Sequence, residues 1–278
     1  MKTLQHLLGI TLTFAMQSCA PEEAKKKSDA TETQGSLTAN TLFKNSIVST
    51  EFDFITADDP SAFKALRFIG RETHEMPDKR NVVLVDKDSF VFVATINKGS
   101  KVEIWAHSSF GSVDKAERYA RMLSAPLGKL PPVMRGKLAH VVIHKGDAVA
   151  FGEAEGNFFV VYSENMETRV RDHDLEETVF HESVHATLEM TYRKNRDWLA
   201  AQKADTAFIT QYAADNPSLE DLPEAALFAY TMIENPGRLP ADVESWVQKH
   251  MPNRLAFFRG IFSDPARDKK RAASEARR

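Results

Sequence analysis

The stretch HESVH at residues 181–185 determines how the rest of this 278-residue chain is interpreted. Residues four apart on a helix lie on the same face, so the imidazoles of His181 and His185 can bind one cation between them. Glu182 is one step round the same helix, where its carboxylate can take a proton from water beside that cation. The pattern therefore predicts a helix that carries a zinc site.

The residues around this stretch favour a helix. No Gly or Pro occurs between Asp174 and Lys194, and Asp174 followed by Glu177 matches a capping box at a helix start. Two histidines on the surface of an ordinary helix would give the same motif, and spacing alone leaves this alternative open. A third metal ligand elsewhere in the chain would favour the metal site, because catalytic zinc uses three protein ligands.

Two glutamates further along the chain are candidates for the third ligand. Glu220 and Glu224 are four residues apart, so a helix places both carboxylates on one side. One of them can then bind the metal while the other braces a ligand histidine through its free ring N–H; a solvated acidic helix start is the alternative. Pro223 fits only the first turn of that helix. If the helix began later, Glu220 would lie in the preceding loop and Glu224 would compete as ligand.

The wider pattern predicts an α+β fold. Runs of β-branched and aromatic residues, with one stretch of helical spacing, predict a helix at 112–123 and strands at 81–85, 90–96, 102–106, 138–144 and 157–162. From about residue 172 to 262 the segments are helical and are separated by Pro and Gly. We therefore expect a mostly antiparallel N-terminal sheet with helices, followed by an all-helical C-terminal half.

The two ends of the chain are expected to lie outside the folded domain. Residues 1–18 have the basic start and short apolar run of a secretory signal, too short to span a bilayer. Cys19 then resembles the lipidated cysteine of a bacterial lipoprotein, which predicts a lipid anchor in the cell envelope; a secretory signal with an incidental cysteine is the alternative. We expect a flexible tether at 19–45, the domain at 46–265 and a basic disordered tail at 266–278.

Composition narrows the classes of protein that this chain can represent. With 42% hydrophobic and 27% charged residues, the chain can bury a core. Its formal net charge of −3 gives no general attraction for nucleic acid, so we expect no nucleic-acid partner. Cys19 is the one cysteine, which excludes an internal disulfide and a four-cysteine zinc site.

The motifs together resemble those of gluzincin metallopeptidases, in which an HExxH helix is followed by a glutamate helix. More narrowly, Tyr212 ahead of EDLPE at 220–224 resembles the anthrax lethal-factor-like group and a group of bacterial zinc-binding metallopeptidases. The sequence IHKG at 143–146 also matches the second group. The likeness covers residues 63–258, and its helical motifs are the specific part. Pro223 is a departure, because the relatives usually carry Ala there.

The resemblance implies a zincin-like metallopeptidase fold and a zinc-dependent peptidase that acts on peptides or proteins. In that family the metal would be held by His181, His185 and Glu220. Glu182 would be the general base in the hydrolysis. A zincin-fold envelope lipoprotein that binds a partner without cleaving it is the alternative.

The resemblance also implies roles for residues around the metal. Glu224 would brace a ligand histidine from outside the metal's own ligand set. Tyr212 would hydrogen-bond the oxyanion that forms when water attacks a peptide carbonyl. The strand at 158–162 would be the sheet edge along which an extended substrate lies.

Overall fold

The structure is a computed structural model that describes residues 41–263. The signal predicted at 1–18, Cys19 and the tail predicted at 266–278 lie outside the described residues. Within residues 41–263 the chain is α+β, as expected, with eight strands and ten α-helices. None of these helices combines the length and the apolar character that crossing a lipid bilayer requires.

The strands form one large and one small sheet in the described part of the chain. They are β1 Thr41–Phe43, β2 Phe63–Glu75, β3 Val85–Ile96, β4 Lys101–Ala106, β5 His140–His144, β6 Phe151–Glu153, β7 Phe158–Tyr162 and β8 Phe208–Thr210. The large sheet has the order β2-β3-β4-β5-β7-β6. The β4–β5 and β5–β7 pairings are parallel, and the other three are antiparallel. Strand β6 is therefore an antiparallel edge strand beside a parallel centre.

The helices are α1 Val113–Lys129, α2 Pro132–Arg135, α3 Ser163–Arg171, α4 Leu175–Thr187, α5 Glu189–Tyr192, α6 Arg196–Ala204, α7 Gln211–Asp215, α8 Asp221–Glu234, α9 Ala241–His250 and α10 Pro252–Phe262. Side chains at several starts supply the acceptors that helix N-termini lack. The Ser112 hydroxyl, for example, accepts the Lys115 N–H at the start of α1. The predicted helix at 112–123 is confirmed and continues to Lys129.

Burial follows the alternation of the strand sequences. In β4, Val102, Ile104 and Ala106 are fully buried, whereas Glu103 and Trp105 between them are half-buried and Lys101 is exposed. The central strands β5 and β7 are buried along almost their whole length, as expected for parallel strands covered on both faces. Helices α1 and α4 cover one face of the sheet and share its main core.

The strand predicted at 81–85 is wrong over most of its length, because β3 begins only at Val85. Val82 and Val83 are 92% and 63% exposed in the turn after β2. Their β-branched side chains favour a strand only where a neighbouring surface packs against them. The sequence pattern also does not predict β2, because most residues of this edge strand are exposed and its apolar residues do not alternate regularly.

The C-terminal half is not all-helical, because β8 lies within it. Strand β8 pairs in parallel with β1, and Leu42 is buried by this pairing. Phe43 also stacks on Phe228 of α8, with 5.9 Å between the ring centroids. The tether expected over 19–45 therefore does not extend over Thr41–Phe43, since this segment pairs with β8, buries Leu42 and packs Phe43 against α8.

Helix α4, which carries the HESVH stretch, is the central helix of the described chain. Every one of its residues except Glu176 is buried. It packs against β6 and β7 on one side and against α8 on the other. Because it is enclosed on all sides, the two-histidine surface helix considered as an alternative is excluded.

The capping box predicted at the start of α4 is wrong. Asp174 does precede the helix, but its side chain makes no cap hydrogen bond and instead accepts from Arg169 at 2.9 Å. The carboxylate of Glu177 accepts the N–H groups of Phe54 at 3.1 Å and Ile55 at 3.0 Å. Tertiary partners therefore take both acids away from the helix N-terminus, and Glu177 fixes the 54–55 backbone to α4.

Candidate metal centre

The imidazoles of His181 and His185 face the same side of α4, as the spacing predicts. Their ring centroids are 5.1 Å apart, and the two residues are only 5% and 8% exposed. Both rings direct Nε2 towards a carboxylate from another helix. Oε2 of Glu220 lies 3.4 Å from Nε2 of His181 and 3.4 Å from Nε2 of His185. One buried oxygen is thus shared by two imidazole nitrogens.

Local structure at the start of α8 explains why Glu220 reaches this point. Its backbone N–H donates to the carbonyl of Asn216, and its own carbonyl accepts the N–H of Glu224 at 3.0 Å. Glu220 is therefore the N-cap residue, with Asp221 first in the helix. Pro223 is the third helical residue, a position in the first turn where its missing N–H costs nothing.

The three ligand atoms fit a zinc ion. Zinc bound at 2.0–2.1 Å by nitrogen and oxygen in a tetrahedron separates two ligand atoms by about 3.3–3.4 Å. Both nitrogen–oxygen separations are 3.4 Å, and all three atoms lie within 4.8 Å of one another. Two imidazoles and one carboxylate are also the donor set of many catalytic zinc sites, which leave the fourth position open.

Two further carboxylates face the other nitrogens of the rings. Oε2 of Glu189 is 2.9 Å from Nδ1 of His185, and Oε1 of Glu224 is 3.5 Å from Nδ1 of His181. A carboxylate at Nδ1 favours a proton there and leaves Nε2 as the metal-binding nitrogen. The glutamates are therefore divided by position: Glu220 faces both Nε2 atoms, whereas Glu224 faces one Nδ1.

Glu224 is itself fixed by donors that the sequence does not identify. Its carboxylate accepts from the hydroxyl of Ser46 at 2.5 Å, the N–H of Ile47 at 2.9 Å and the hydroxyl of Thr210 at 3.0 Å. The Thr210 hydroxyl also accepts the Ala213 N–H and caps α7. A carboxylate with three such donors cannot turn readily towards Nε2, which explains why Glu224 stays on the Nδ1 side of His181 and does not take the position of Glu220.

Charge pairing is reflected in the pKa values of the cluster. Burial alone would lower the pKa of His185, but Glu189 and Glu220 raise it well above its usual value. Burial would raise the pKa of Glu220, but His181 and His185 hold it well below its usual range. Burial raises the pKa of Glu182, and the neighbouring imidazoles only partly oppose this effect.

Edge strand β6 lies directly against the HESVH stretch of α4. A Cβ atom on Gly152 would come within 2.5 Å of both the Glu182 carbonyl oxygen and the Cβ of His185, so only glycine allows this approach. The implied edge at 158–162 is wrong, because β7 is paired on both sides, with β5 and with β6. The edge beside the cluster is Phe151–Glu153.

Tyr212 lies in α7 and is half-buried. Helix α7 is linked to the cluster through Thr210, which bonds Glu224. The role of Tyr212 at an oxyanion stays a prediction. Residues that sequence reasoning does not identify include Ser46 and Thr210, because contacts so distant in the chain leave no local pattern.

Three comparisons with known proteins supply no relative. No protein-family model, no curated protein and no solved structure matches the chain. The remaining indication of function is the site itself. That site is a buried cluster of two imidazoles and one carboxylate, carried by two helices beside an open sheet edge.

Proposed function

We propose that this chain is a zinc-dependent peptidase with a zincin-like fold, in which His181, His185 and Glu220 bind the metal. The observation that carries the proposal is the single Glu220 oxygen 3.4 Å from both Nε2 atoms, at the separation that tetrahedral zinc requires. The presence of Glu182 on the same buried helix adds the acid–base group that hydrolysis needs.

In this proposal, different residues of the chain have different roles in hydrolysis. Zinc bound here would act as a Lewis acid towards water and the substrate carbonyl. The carboxylate of Glu182 takes a proton from the attacking water and returns it to the leaving amine. Tyr212 donates a hydrogen bond to the oxyanion. Glu189 keeps the His185 ring oriented by accepting from its Nδ1, and the Glu224 carboxylate 3.5 Å from Nδ1 of His181 favours the orientation of that ring.

The substrate in this proposal is an extended peptide paired with β6. An edge strand offers unpaired N–H and C=O groups to a further strand, so a peptide backbone can add there. Gly152 brings this edge against the Glu182 carbonyl, which would place a paired peptide beside the cluster. The proposal therefore moves the substrate from the strand at 158–162 to Phe151–Glu153.

The proposal is tested by measuring zinc and hydrolysis in the same preparation. Purified protein should contain about one zinc per chain by elemental analysis and should cleave peptides from a mixed library. A chelator should abolish cleavage, and added zinc should restore it. Stoichiometric zinc with no cleavage of any peptide would favour the non-catalytic binding lipoprotein. Protein without affinity for zinc would contradict both.

We further propose that the chain is exported and anchored in a bacterial envelope through Cys19. The proposal is supported by the sequence before Cys19, which has the basic start and short apolar run of a lipoprotein signal. Expression of the full chain in bacteria with labelled palmitate should label the protein, and Cys19→Ser should remove the label. A labelled Cys19→Ser protein, or an unlabelled parent, would contradict the anchor.

A further inference from the structure

The edge strand beside the metal centre is short and has a different charge at each end. Gly152 is its central residue and touches α4 at Glu182 and His185. Phe151 and Glu153 flank it along the edge. Successive residues of a strand advance about 3.3 Å, so peptide residues on the two sides of the cluster meet different ends of β6.

A lysine marks the Phe151 end. Nζ of Lys79 lies 5.7 Å from the centroid of the Phe151 ring. The backbone that carries Lys79 is fixed in place. Its N–H donates to the hydroxyl oxygen of Tyr162 at 3.2 Å, and this hydroxyl donates to Asp78 at 3.0 Å. The ammonium is thus attached to a well-anchored turn at one end of the edge.

Carboxylates mark the opposite end. Glu153 follows Gly152, the residue that lies against His185, and Glu155 is two residues further along the chain. Burial and the charges of Glu189 and Glu155 raise the pKa of Glu153. Glu189 is compensated by Arg193 and His185. Within residues 41–263, by contrast, Glu153 forms no ion pair. A partly buried carboxylate without a cation favours a positively charged ligand group.

We infer that β6 selects peptides with a basic residue opposite Glu153 and an acidic residue beside Lys79. A peptide that pairs antiparallel to β6 runs from Glu153 towards Phe151. The basic residue therefore lies on the N-terminal side of the cleaved bond, and the acidic residue lies on the C-terminal side. This inference deepens the proposed peptidase function and rests on it.

The test uses two peptides of identical composition that differ only in the order of charge. One carries Arg before and Glu after the same cleavable core, and the other carries Glu before and Arg after it. The wild-type protein should cleave the first with a kcat/KM about tenfold higher, as expected when two partly exposed contacts change from attraction to repulsion. The double variant Lys79→Glu with Glu153→Lys should reverse this preference.

A matched control makes the same two charge reversals at positions that are not part of β6. Lys115 and Glu51 are both exposed, so Lys115→Glu with Glu51→Lys keeps the net charge and should leave the preference unchanged. Equal kcat/KM for the two peptides, or a preference that the double variant at β6 does not alter, would overturn the inference.

Binding separates this inference from the peptidase proposal. Fluorescence anisotropy of both labelled peptides with Glu182→Gln protein should show the same order of affinity, without hydrolysis. If the wild-type protein binds in that order but never cleaves, the peptidase proposal fails alone. If it cleaves both peptides without preference, the charge selection fails alone.

Discussion

Two pairs of histidines in this molecule have similar distances between their rings but differ in the arrangement of the neighbouring carboxylates. The rings of His181 and His185 have centroids 5.1 Å apart, and those of His107 and His144 have centroids 5.3 Å apart. Each pair lies close to carboxylates. In the first pair, however, one oxygen of Glu220 is 3.4 Å from a nitrogen of each ring.

The second pair has a separate acid for each ring. Asp78 lies 3.8 Å from Nδ1 of His144, and Asp86 lies 3.8 Å from Nε2 of His107. Both acids already accept stronger hydrogen bonds, with Asp78 bonded to Tyr162 and Arg80 and Asp86 bonded to the Ser108 N–H at 2.6 Å. These aspartates stabilise turns. The two pairs therefore differ in the placement of their carboxylates, and not in the distance between their imidazoles: one oxygen lies close to both rings of the first pair, whereas each ring of the second pair has its own acid.

Removal of a ligand from the first pair should give the largest effect. His181→Ala leaves two ligands, so zinc affinity should fall by more than the roughly 10–100-fold that loss of a bracing group causes, and hydrolysis should be undetectable. Zinc content after dialysis and peptide cleavage measure both changes. His144→Ala is the matched control and should retain zinc. Retention of stoichiometric zinc by His181→Ala would contradict the ligand set.

Replacement of the general base should separate chemistry from metal binding. Glu182→Gln should lower kcat by about 10²–10⁴-fold and keep zinc, because the amide cannot take the proton from water but preserves the size of the side chain. Steady-state kinetics and elemental analysis test this. Glu176→Gln changes an acid on the same helix that pairs with Lys129 instead, and it should keep most of the activity. Near-normal cleavage by Glu182→Gln would remove that residue from the mechanism.

A smaller effect is expected when Glu189, whose carboxylate contacts Nδ1 of His185, is replaced. Glu189→Gln weakens the 2.9 Å contact with Nδ1, so zinc affinity should fall by about 10–100-fold while excess zinc restores activity. Competition with a zinc-binding dye measures the affinity. Asp78→Asn makes the corresponding change beside His144 and should leave zinc affinity unaltered. If both substitutions weakened zinc equally, the distinction between the two pairs would be wrong.

The sequence predicts those parts of the centre that depend on local spacing. Helical geometry is enough to place His181 and His185 on one face, and the four-residue interval is enough to bring Glu220 and Glu224 to one side of α8. Their different positions beside the imidazoles depend on Ser46 and Thr210, which are distant in the chain and form hydrogen bonds with Glu224. The spacing of residues in the sequence does not indicate such contacts, so it cannot distinguish Glu220 from Glu224 as the candidate ligand.

The secondary structure is likewise predictable only where it depends on local sequence. Strand β4 alternates apolar and polar residues, and the helix after Ser112 has apolar residues at helical spacing, so both are predicted well. Edge strand β6 is only three residues long and contains Gly152, so no periodicity can indicate it. Its position depends on pairing with β7 and on the close approach to α4, both of which are tertiary.

The smallest expected effect concerns His144 of the second pair, which should change how the free energy of unfolding depends on pH. Burial lowers the pKa of His144 from its usual 6.5, with His107 and Arg80 acting in the same direction and Asp78 opposing them. Below pH 6.5 the His144 imidazole therefore binds a proton in the unfolded chain but not in the folded chain. The free energy of unfolding then decreases as pH falls, by at most about 1.4 kcal/mol per pH unit for this one proton.

His144→Gln removes this group and can still donate to the Pro77 carbonyl, which lies 3.0 Å from Nε2 in the parent. Urea unfolding of chelator-treated protein at pH 7.5 and 5.5 should show a loss about 1 kcal/mol smaller in the variant. The first pair titrates with the opposite sign, because the pKa of His185 is raised, but its contribution is common to both proteins and cancels in the difference. An equal loss in both proteins would mean that His144 is not held neutral by burial, and the two pairs would then differ in their acids but not in their charge.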